Sequence, residues 1–314
     1  MSLALAVDLG GTKVEAALVD SDGTLVSGSR FRQATGRDAS STELTAAVSA
    51  VVTRALQSLP DGATLAGVGI GAAGPVVEDA GLVSPLNLPA WRNYPLRQLV
   101  ASVVPDVPTV PSSPVLLRMD GLCITLAEHW VGAARGYHNV MGMVVSTGIG
   151  GGLILHGNTV SGPTGNAGHI GHVEVAGFDD RCACGGAGCL EAIASGPRTV
   201  AWAQGQGWIG TTGEELSASY LSGDPIARWA VERSGTAIGQ AIASATSLVD
   251  LELVAIGGGF SQVTPDLFDY IRAGIARRRQ FAFVTKVLVV PSALSADGPL
   301  IGAAALVHRS GIIA

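Results

Sequence analysis

One unit that the sequence uses twice places the strongest constraint on the fold of this 314-residue chain. Residues 7–10 (VDLG) align with residues 145–148 (VSTG) at an offset of 138 positions. In each copy an apolar strand enters a glycine turn and leaves as a second strand. Strands and helices then alternate in the back half of the chain. The sequence therefore predicts an α/β protein in which one structural unit is duplicated.

Local patterns predict further elements on both sides of the repeat. A third strand is expected to begin at Thr24, after the Ser-Asp-Gly turn that ends at Gly23. Apolar residues spaced three and four apart predict a helix from about residue 41 to 59, with Ser41 or Thr42 as its N-cap. Residues 65–77 predict a strand that leads into a glycine loop, and the proline-rich segment 107–117 predicts a hinge between two lobes.

The second half of the chain continues the alternation. Asp120 is expected to cap a helix, and helical spacing returns at about 223–249 and 265–279. Buried-type strands are predicted in LELVAIGGG and KVLVVPSAL, before a closing helix in GPLIGAAALVHR.

Composition excludes several classes of function. A net charge of −6 and a pI near 5.5 argue against nucleic acid or an anionic membrane as the main partner. A signal peptide would carry Lys or Arg ahead of its apolar region, and no Lys or Arg precedes Asp8. Glycines and polar residues interrupt the most apolar stretch, which argues against a membrane-spanning helix there. Three of the four cysteines lie within eight residues, which does not resemble a disulfide framework. A cytoplasmic protein without a membrane span is expected.

The glycine-rich segments favour a nucleotide cleft over a dinucleotide fold. GIGAAG at 69–74 matches G-x-G-x-x-G, but the prolines that follow prevent the helix that a Rossmann site needs. DLGGTK at 8–13 and STGIGGG at 146–152 are better phosphate candidates, because glycine lets backbone N–H groups approach an anion. Each alone could be a simple hairpin turn. As a pair, with IGGG at 256–259 after a third strand, they predict a nucleotide site between two lobes.

A compact set of histidine and cysteine residues predicts a metal. His172, Cys182, Cys184 and Cys189 offer the number and type of ligands that tetrahedral zinc requires. Four protein ligands leave no open position for water, which indicates structural zinc. The alternative is a group of separate thiols and a surface histidine.

Eight motifs together resemble the ROK family of bacterial sugar kinases, in the actin-like ATPase superfamily. They are DLGGTK, GIGAAGPV, NLPAW, the helix start at Asp120, STGIGGG, GNAGHIGH, CACGGAGCLEAIASG and AIGGG. The resemblance covers residues 8–304 and implies a duplicated, ribonuclease H-like α/β fold with two lobes around a cleft. A small lobe would comprise residues 1–117 with the final helix at about 300–314. Residues 118–299 would form a larger lobe that carries the zinc loop.

The resemblance also implies a role for each matching residue. Asp120 would be the general base that takes the proton from the 6-hydroxyl of the sugar as it attacks the γ-phosphate of ATP. Asp8 would lie near Mg²⁺. The residues expected to bind ATP are Asp8, Gly10, Gly11, Thr12, Lys13, Thr147, Gly148, Gly258 and Gly259. Those expected to contact the sugar are Gly74, Asn87, Met119, Asp120, His169, His172 and Glu191. Zinc on the four ligands would hold the loop that presents His169 and Glu191.

Two positions depart from the family pattern. The family normally has Asn before its catalytic Asp, and here Met119 supplies a thioether that forms only weak hydrogen bonds. His169 stands where glucokinases of the family carry Glu, as it does in some N-acetylmannosamine kinases. Both departures leave the choice of sugar open.

The sequence thus predicts an ATP-dependent kinase for the 6-hydroxyl of a hexose or N-acylhexosamine, with glucose or N-acetylmannosamine as substrate. The alternatives are a sugar-binding pseudokinase and a sugar-responsive regulator. Regulators of the family carry a DNA-binding segment ahead of the kinase-like body, and Asp8 lies too close to the start of this sequence for one. The resemblance alone implies a homodimer.

Overall fold

A computed structural model describes residues 1–104 and 114–313, so most of the hinge predicted at 107–117 lies outside the described residues. The strands are β1 (Ser2–Leu9), β2 (Lys13–Asp20), β3 (Phe31–Ala34), β4 (Thr64–Ala72), β5 (Val76–Val77), β6 (Leu82–Val83), β7 (Val115–Met119), β8 (Val140–Val145), β9 (Ile149–Leu155), β10 (Asn158–Val160), β11 (Leu253–Gly257) and β12 (Leu288–Pro291). The helices are α1 (Ser41–Gln57), α2 (Leu96–Val103), α3 (Asp120–Trp130), α4 (Leu190–Ala194), α5 (Gly196–Gly205), α6 (Gly213–Leu221), α7 (Pro225–Val249), α8 (Asp266–Ala276), α9 (Ala282–Thr285) and α10 (Gly298–His308).

Two five-stranded sheets repeat the same topology. The first has the order β3-β2-β1-β4-β7, and the second has the order β10-β9-β8-β11-β12. In each sheet the first three strands pair antiparallel and the last three pair parallel. The hairpin β1–β2 therefore corresponds to β8–β9, as the repeat at offset 138 predicts. The duplicated α/β fold is confirmed.

Burial explains the apolar runs that mark the central strands. In β1 every residue from Leu3 to Leu9 is buried, because helices cover both faces of the parallel part of the sheet. Val68, Ile70 and Ala72 of the neighbouring β4 are buried beside them. Each sheet has its own large apolar cluster.

The helix that follows each sheet packs on the other half of the molecule. Helix α3 follows β7 of the first sheet and packs against β8 and β9, whereas α10 follows β12 and packs against β1, β4 and α3. A methyl group built on Gly121 would lie 2.4 Å from the carbonyl oxygen of Gly151, so the close approach of α3 to β9 requires glycine. This packing brings the first residue of α3, Asp120, beside the second hairpin. The division into 1–117 with 300–314 and 118–299 stays a prediction, and the contacts of α10 support it.

Two local predictions near the N-terminus are wrong. Residues 24–26 form only an isolated bridge between Val19 and Leu25, and the third strand of the sheet is β3, farther along the chain. The N-cap of α1 is Ser40, not Ser41 or Thr42. Ser40 forms a reciprocal capping box, in which its hydroxyl accepts from the Glu43 N–H at 3.2 Å and the Glu43 carboxylate accepts from the Ser40 N–H at 2.8 Å.

The expected cap at the start of α3 is also wrong. Met119 occupies the N-cap position, and Asp120 is the first helical residue, with Oδ1 accepting from the Gly121 N–H at 2.7 Å. The helices predicted at about 223–249 and 265–279 and the closing helix are confirmed as α7, α8 and α10. Within residues 1–104 and 114–313, no helix combines the length and apolar character that crossing a bilayer demands.

Candidate active site

The two glycine turns of the repeat line one cavity. Between β1 and β2, the Gly10 N–H donates to the Lys13 carbonyl at 2.9 Å, and between β8 and β9 the Ser146 N–H donates to the Gly148 carbonyl at 2.9 Å. The cavity has a volume of about 260 Å³. The predicted site residues that line it are Asp8, Gly10, Gly11, Thr12, Lys13, Gly74, Asn87, Met119, Asp120, Thr147, Gly148, His169, His172 and Glu191. Residues from distant parts of the chain thus meet in one cavity.

A second cavity of about 730 Å³ adjoins the first and shares Ser146 and Thr147 with it. Gly259 and the start of α6, residues 211–214, line this second cavity. Gly258 is not among the lining residues. It adopts φ +98° and packs so closely on the Val145 carbonyl that a methyl group there would lie 2.5 Å from the oxygen.

Three carboxyl groups line the first cavity, those of Asp8, Asp120 and Glu191. Burial, together with the nearby Asp120 carboxylate, raises the pKa of Asp8 to about 7. Burial also raises the pKa of Asp120 to about 6, although the hydrogen bond from the Gly121 N–H opposes the increase. The ionised forms of both aspartates are therefore costly in this cavity, and a cation bound between phosphate and carboxylate would stabilise them.

Three predicted sugar contacts meet at one wall of the cavity. A methyl group built on Gly74 would lie 2.9 Å from Cε1 and 3.0 Å from Nε2 of His169, and 3.2 Å from the sulfur of Met119. The side chain of Met119 is buried, with 3 % of its surface exposed. The wall therefore combines one imidazole edge with an apolar thioether.

A backbone contact defines the hydrogen-bonding role of His169. Its Nδ1 lies 3.0 Å from the carbonyl oxygen of Asn166. Because a carbonyl oxygen can only accept, Nδ1 must carry the proton in this contact. The Nε2 atom of the neutral ring is then a hydrogen-bond acceptor on the side of Gly74.

The predicted metal ligands lie together. The ligand atoms of His172, Cys182, Cys184 and Cys189 all lie within 4.8 Å of one another. Cys182 Sγ is 3.6 Å from His172 Nδ1, and Cys184 Sγ is 3.6 Å from Cys189 Sγ. Zinc bonds of about 2.3 Å to sulfur and about 2.0 Å to nitrogen give tetrahedral edges of roughly 3.5 to 3.8 Å. The donor set and its spacing therefore fit zinc, and all four cysteines of the chain are free of disulfides.

Helix α4 connects the metal-ligand cluster to the second glycine turn. Cys189 directly precedes α4, and Glu191 lies in its first turn. The Glu191 carboxylate accepts a hydrogen bond from the Ile149 N–H at 2.8 Å. Any ion that fixes Cys189 therefore also fixes Glu191 against β9.

Sequence reasoning missed a buried charge cluster behind the first turn. Glu15 is 1 % exposed and pairs in register with Asp8 across β1 and β2. Although burial opposes it, hydrogen bonds from Arg30, Lys13 and Arg32 lower the pKa of Glu15 to about 2. The acidic residue Glu15 inside the apolar run VEAALV was the available signal. The start of α6, which lines the second cavity, gave no such signal because its polar residues are those of any helix cap.

The duplicated sheets and the cavity between their hairpins define the actin-like ATPase fold. A model of the ROK family matches residues 4–310, so the chain belongs to the ROK family. The family expected from the motifs is confirmed.

Three similar proteins show what this chain resembles. It is 30 % identical over 322 residues to the glucokinase of Thermotoga maritima, with 97 % of each chain covered. It is 31 % identical over 309 residues to the N-acetylmannosamine kinase of Yersinia pseudotuberculosis, covering 97 % of this chain and 98 % of that protein. A crystal structure of a ROK family glucokinase from Streptomyces griseus, in complex with glucose and AMPPNP, superposes with a TM-score of 0.82 at 29 % identity, covering 98 % and 99 % of the two chains.

Proposed function

We propose that the protein is an ATP-dependent sugar kinase that transfers the γ-phosphate to the 6-hydroxyl of a hexose or N-acylhexosamine. Glucose and N-acetylmannosamine are the leading candidate substrates, in keeping with the names of the relatives. The observation that carries the proposal is that Asp120 shares one cavity with both glycine turns. That arrangement can hold a phosphate and a general base on opposite sides of a hydroxyl group.

The phosphate end of the cavity would use backbone groups of both turns. Gly11 and Thr12 of the first turn and Thr147 and Gly148 of the second would offer their N–H groups to the phosphates. The Gly10 N–H donates to the Lys13 carbonyl, so Gly10 would instead hold the shape of the first turn. Asp8 would hold the Mg²⁺ that accompanies ATP, which would offset the cost of ionising this buried carboxyl group. Lys13 lines the same cavity and is ion-paired with Glu15, so it supplies positive charge at a fixed place.

The adenosine would occupy the second cavity. Gly259 lines this cavity, and Gly258 precedes it at the end of β11. Because Thr147 lines both cavities, a nucleotide that filled the second cavity would lead its phosphates into the first.

Asp120 would accept the proton of the sugar hydroxyl. With a pKa of about 6, its carboxyl group is mainly ionised at pH 7 and above, and its basicity exceeds that of an ordinary aspartate. A positioned base of this kind contributes roughly 10² to 10⁴ in rate.

The sugar would be read by the wall opposite the phosphates. His169 Nε2 accepts one hydrogen bond, the Glu191 carboxylate accepts others, and the Asn87 amide donates and accepts. His172 directs Nδ1 at the sulfur atoms, which leaves its other nitrogen for the cavity. Zinc on His172, Cys182, Cys184 and Cys189 would supply a rigid support for this wall.

The test is a coupled assay of ADP release with Mg·ATP over glucose, mannose, N-acetylmannosamine and N-acetylglucosamine. At least one sugar is expected to raise ADP release far above the rate without sugar, and the product should carry its phosphate on O6 by NMR. A sugar-binding pseudokinase, which the buried Met119 favours, would instead bind sugar in calorimetry and release no ADP. No stimulation by any sugar would reject the kinase. The homodimer and the cytoplasmic location stay predictions.

A further inference from the structure

A loop of the second half reaches across the cleft at its sugar end. Asn166 lies between β10 and the turn that carries His169, whereas Val76 begins the β5–β6 hairpin of the first half. The Asn166 Oδ1 atom accepts from the Val76 N–H at 2.9 Å, and its Nδ2 donates to the Val76 carbonyl at 2.7 Å. One side chain therefore satisfies both backbone groups of a residue in the other half.

The backbone of Asn166 makes a second contact that bears on the site. Its carbonyl oxygen accepts from His169 Nδ1 at 3.0 Å, which selects the tautomer with a free Nε2 lone pair. Gly74, two residues before Val76, packs against the same imidazole. Asn166 thus contacts the segment that carries His169 and the segment that carries Gly74, and these two residues pack together at the wall of the cavity. Asn166 is not itself among the residues that line the cavity.

The surroundings of Asn166 hold the loop closely against the hairpin. Gly165 adopts φ +87°, and a methyl group there would lie 2.8 Å from Cβ of Glu78. Glu78 in turn forms an ion pair of 2.8 Å with Arg118, the residue before Met119 in β7. The contact between the halves therefore continues to the strand that leads into Asp120.

We propose that Asn166 is a positioning residue for the acceptor sugar. Its side chain joins the two halves at the sugar end, and its carbonyl group orients His169 so that Nε2 accepts a hydrogen bond from the substrate. The inference rests on the proposed kinase function for its kinetic test only. Loss of the Asn166 side chain should therefore weaken sugar recognition. Nucleotide recognition should stay intact, because other residues line the second cavity, where the adenosine would bind.

Steady-state kinetics test the separation of the two effects. With the sugar of the four-member panel that is turned over fastest, Asn166→Ala is expected to raise KM for the sugar about tenfold, the effect of losing two partly buried hydrogen bonds, with KM for ATP changed less than about twofold. Asn166→Asp keeps the acceptor for the Val76 N–H and loses the donor, so a smaller rise is expected. Asn158→Ala removes an exposed asparagine in nearby β10 and should match the wild type. Equal rises in both KM values, or no rise, would overturn the proposal.

An NMR measurement tests the same proposal without relying on catalysis. In protein labelled with ¹⁵N-histidine at mildly alkaline pH, with His169→Gln used for assignment, His169 should carry its proton on Nδ1. Asn166→Ala keeps the carbonyl group but loses the side-chain contacts to Val76 that hold it in place, so His169 should no longer show this single tautomer, whereas Asn158→Ala should retain it. If Asn166→Ala fails to fold by circular dichroism, Asn166→Asp takes its place. A proton on Nε2 in the wild type, or an unchanged signal in the folded variant, would contradict the inference even if no sugar proves to be a substrate.

Discussion

The two halves of the molecule share one sheet topology but differ in how they connect the third strand to the fourth. In the first half residues 35–63 make this connection with the single helix α1. In the second half residues 161–252 make it, and they contain α4, α5, α6, α7 and the histidine and cysteine cluster. The difference shows that the duplicated sheets position the glycine turns, while the long connection of the second half supplies His169, His172 and Glu191, three of the groups that would recognise the acceptor.

The turns themselves also differ in charge. The first turn lies among Asp8, Lys13 and the buried Glu15, whereas residues 145–152 of the second carry no ionisable side chain. The charged groups of the first turn therefore belong to its own hairpin, whereas the second turn receives its nearest charge from Glu191 of α4, whose carboxylate accepts from the Ile149 N–H. Separable effects are expected: damage to the zinc loop of the second half should weaken sugar recognition, and damage to the charged first turn should weaken phosphate transfer.

Among the changes that would separate the two halves, loss of the expected zinc should have the largest effect. Cys189→Ser removes one of the four ligands, so bound zinc should fall from about one equivalent per chain to a small fraction. Structural zinc stabilises the loop that it binds by on the order of 10 kcal/mol, and this stabilisation would be lost. Glu191 and His169 would lose their support, so kcat/KM for the sugar should fall at least about 100-fold. Metal analysis and kinetics measure both effects.

Cys123→Ala is the matched control for the metal, because Cys123 is the one cysteine outside the cluster. It should retain its zinc. Full sugar turnover by a zinc-free Cys189→Ser protein would contradict the claim that zinc supports His169 and Glu191 for acceptor recognition.

Asp8→Asn tests the first half and should act in opposite directions on activity and stability. Loss of the carboxylate at the expected Mg²⁺ site should lower kcat about 100-fold. Because the folded-state pKa of Asp8 is raised to about 7, wild-type stability falls as pH rises from about 4 to 7, and the variant should melt at a higher temperature at pH 7.

Kinetics and thermal unfolding at two pH values measure these changes, with Asp38→Asn as an exposed control. A lower melting temperature for Asp8→Asn at pH 7 would contradict the electrostatic description of the site.

Glu15→Gln should lower the free energy of unfolding by disrupting the buried charge cluster of the first half. Removing a buried carboxylate from three cations should cost about 3 kcal/mol at pH 7. Its folded pKa of about 2 lies below the reference value of 4.5, so this stabilisation is present above about 4.5 and disappears as pH falls towards 2. Urea unfolding at neutral and acid pH should show the difference between variant and wild type shrink with acid, while the exposed control Glu232→Gln shows none.

The smallest predicted effect is on the pH profile. Because Asp120 must be ionised to accept the proton and its pKa is about 6, kcat/KM for the sugar at saturating Mg·ATP should fall about tenfold per unit below pH 6. Initial rates across the pH range measure the profile. A profile that stays level from pH 7 to 5 would argue against Asp120 as the base.

The sequence predicted the features that depend on pattern and chemistry. The repeat at offset 138 located both hairpins, and the ligand types of His172 and the three cysteines located the cluster. These predictions succeed because a strand entering a glycine turn and a set of soft ligands each leave a signal within a short segment.

Features that depend on contacts between distant segments could not be predicted. Thr24 follows a good turn sequence, yet the sheet pairs β2 with the later residues of β3. Glu15 belongs to a buried cluster of charges only because Arg30 and Arg32, from a later part of the chain, fold beside it. Asn166 stood in a motif that the sequence had marked, but its partner Val76 lies 90 positions away.

The most direct test of the account is the turnover of Asp120→Asn at saturating sugar and Mg·ATP. The variant should bind the sugar within about tenfold of the wild type, yet release ADP about 10³-fold more slowly, whereas the exposed control Asp61→Asn should match the wild type. Near-normal ADP release by folded Asp120→Asn would contradict the claim that this carboxylate takes the proton of the acceptor between the two glycine turns.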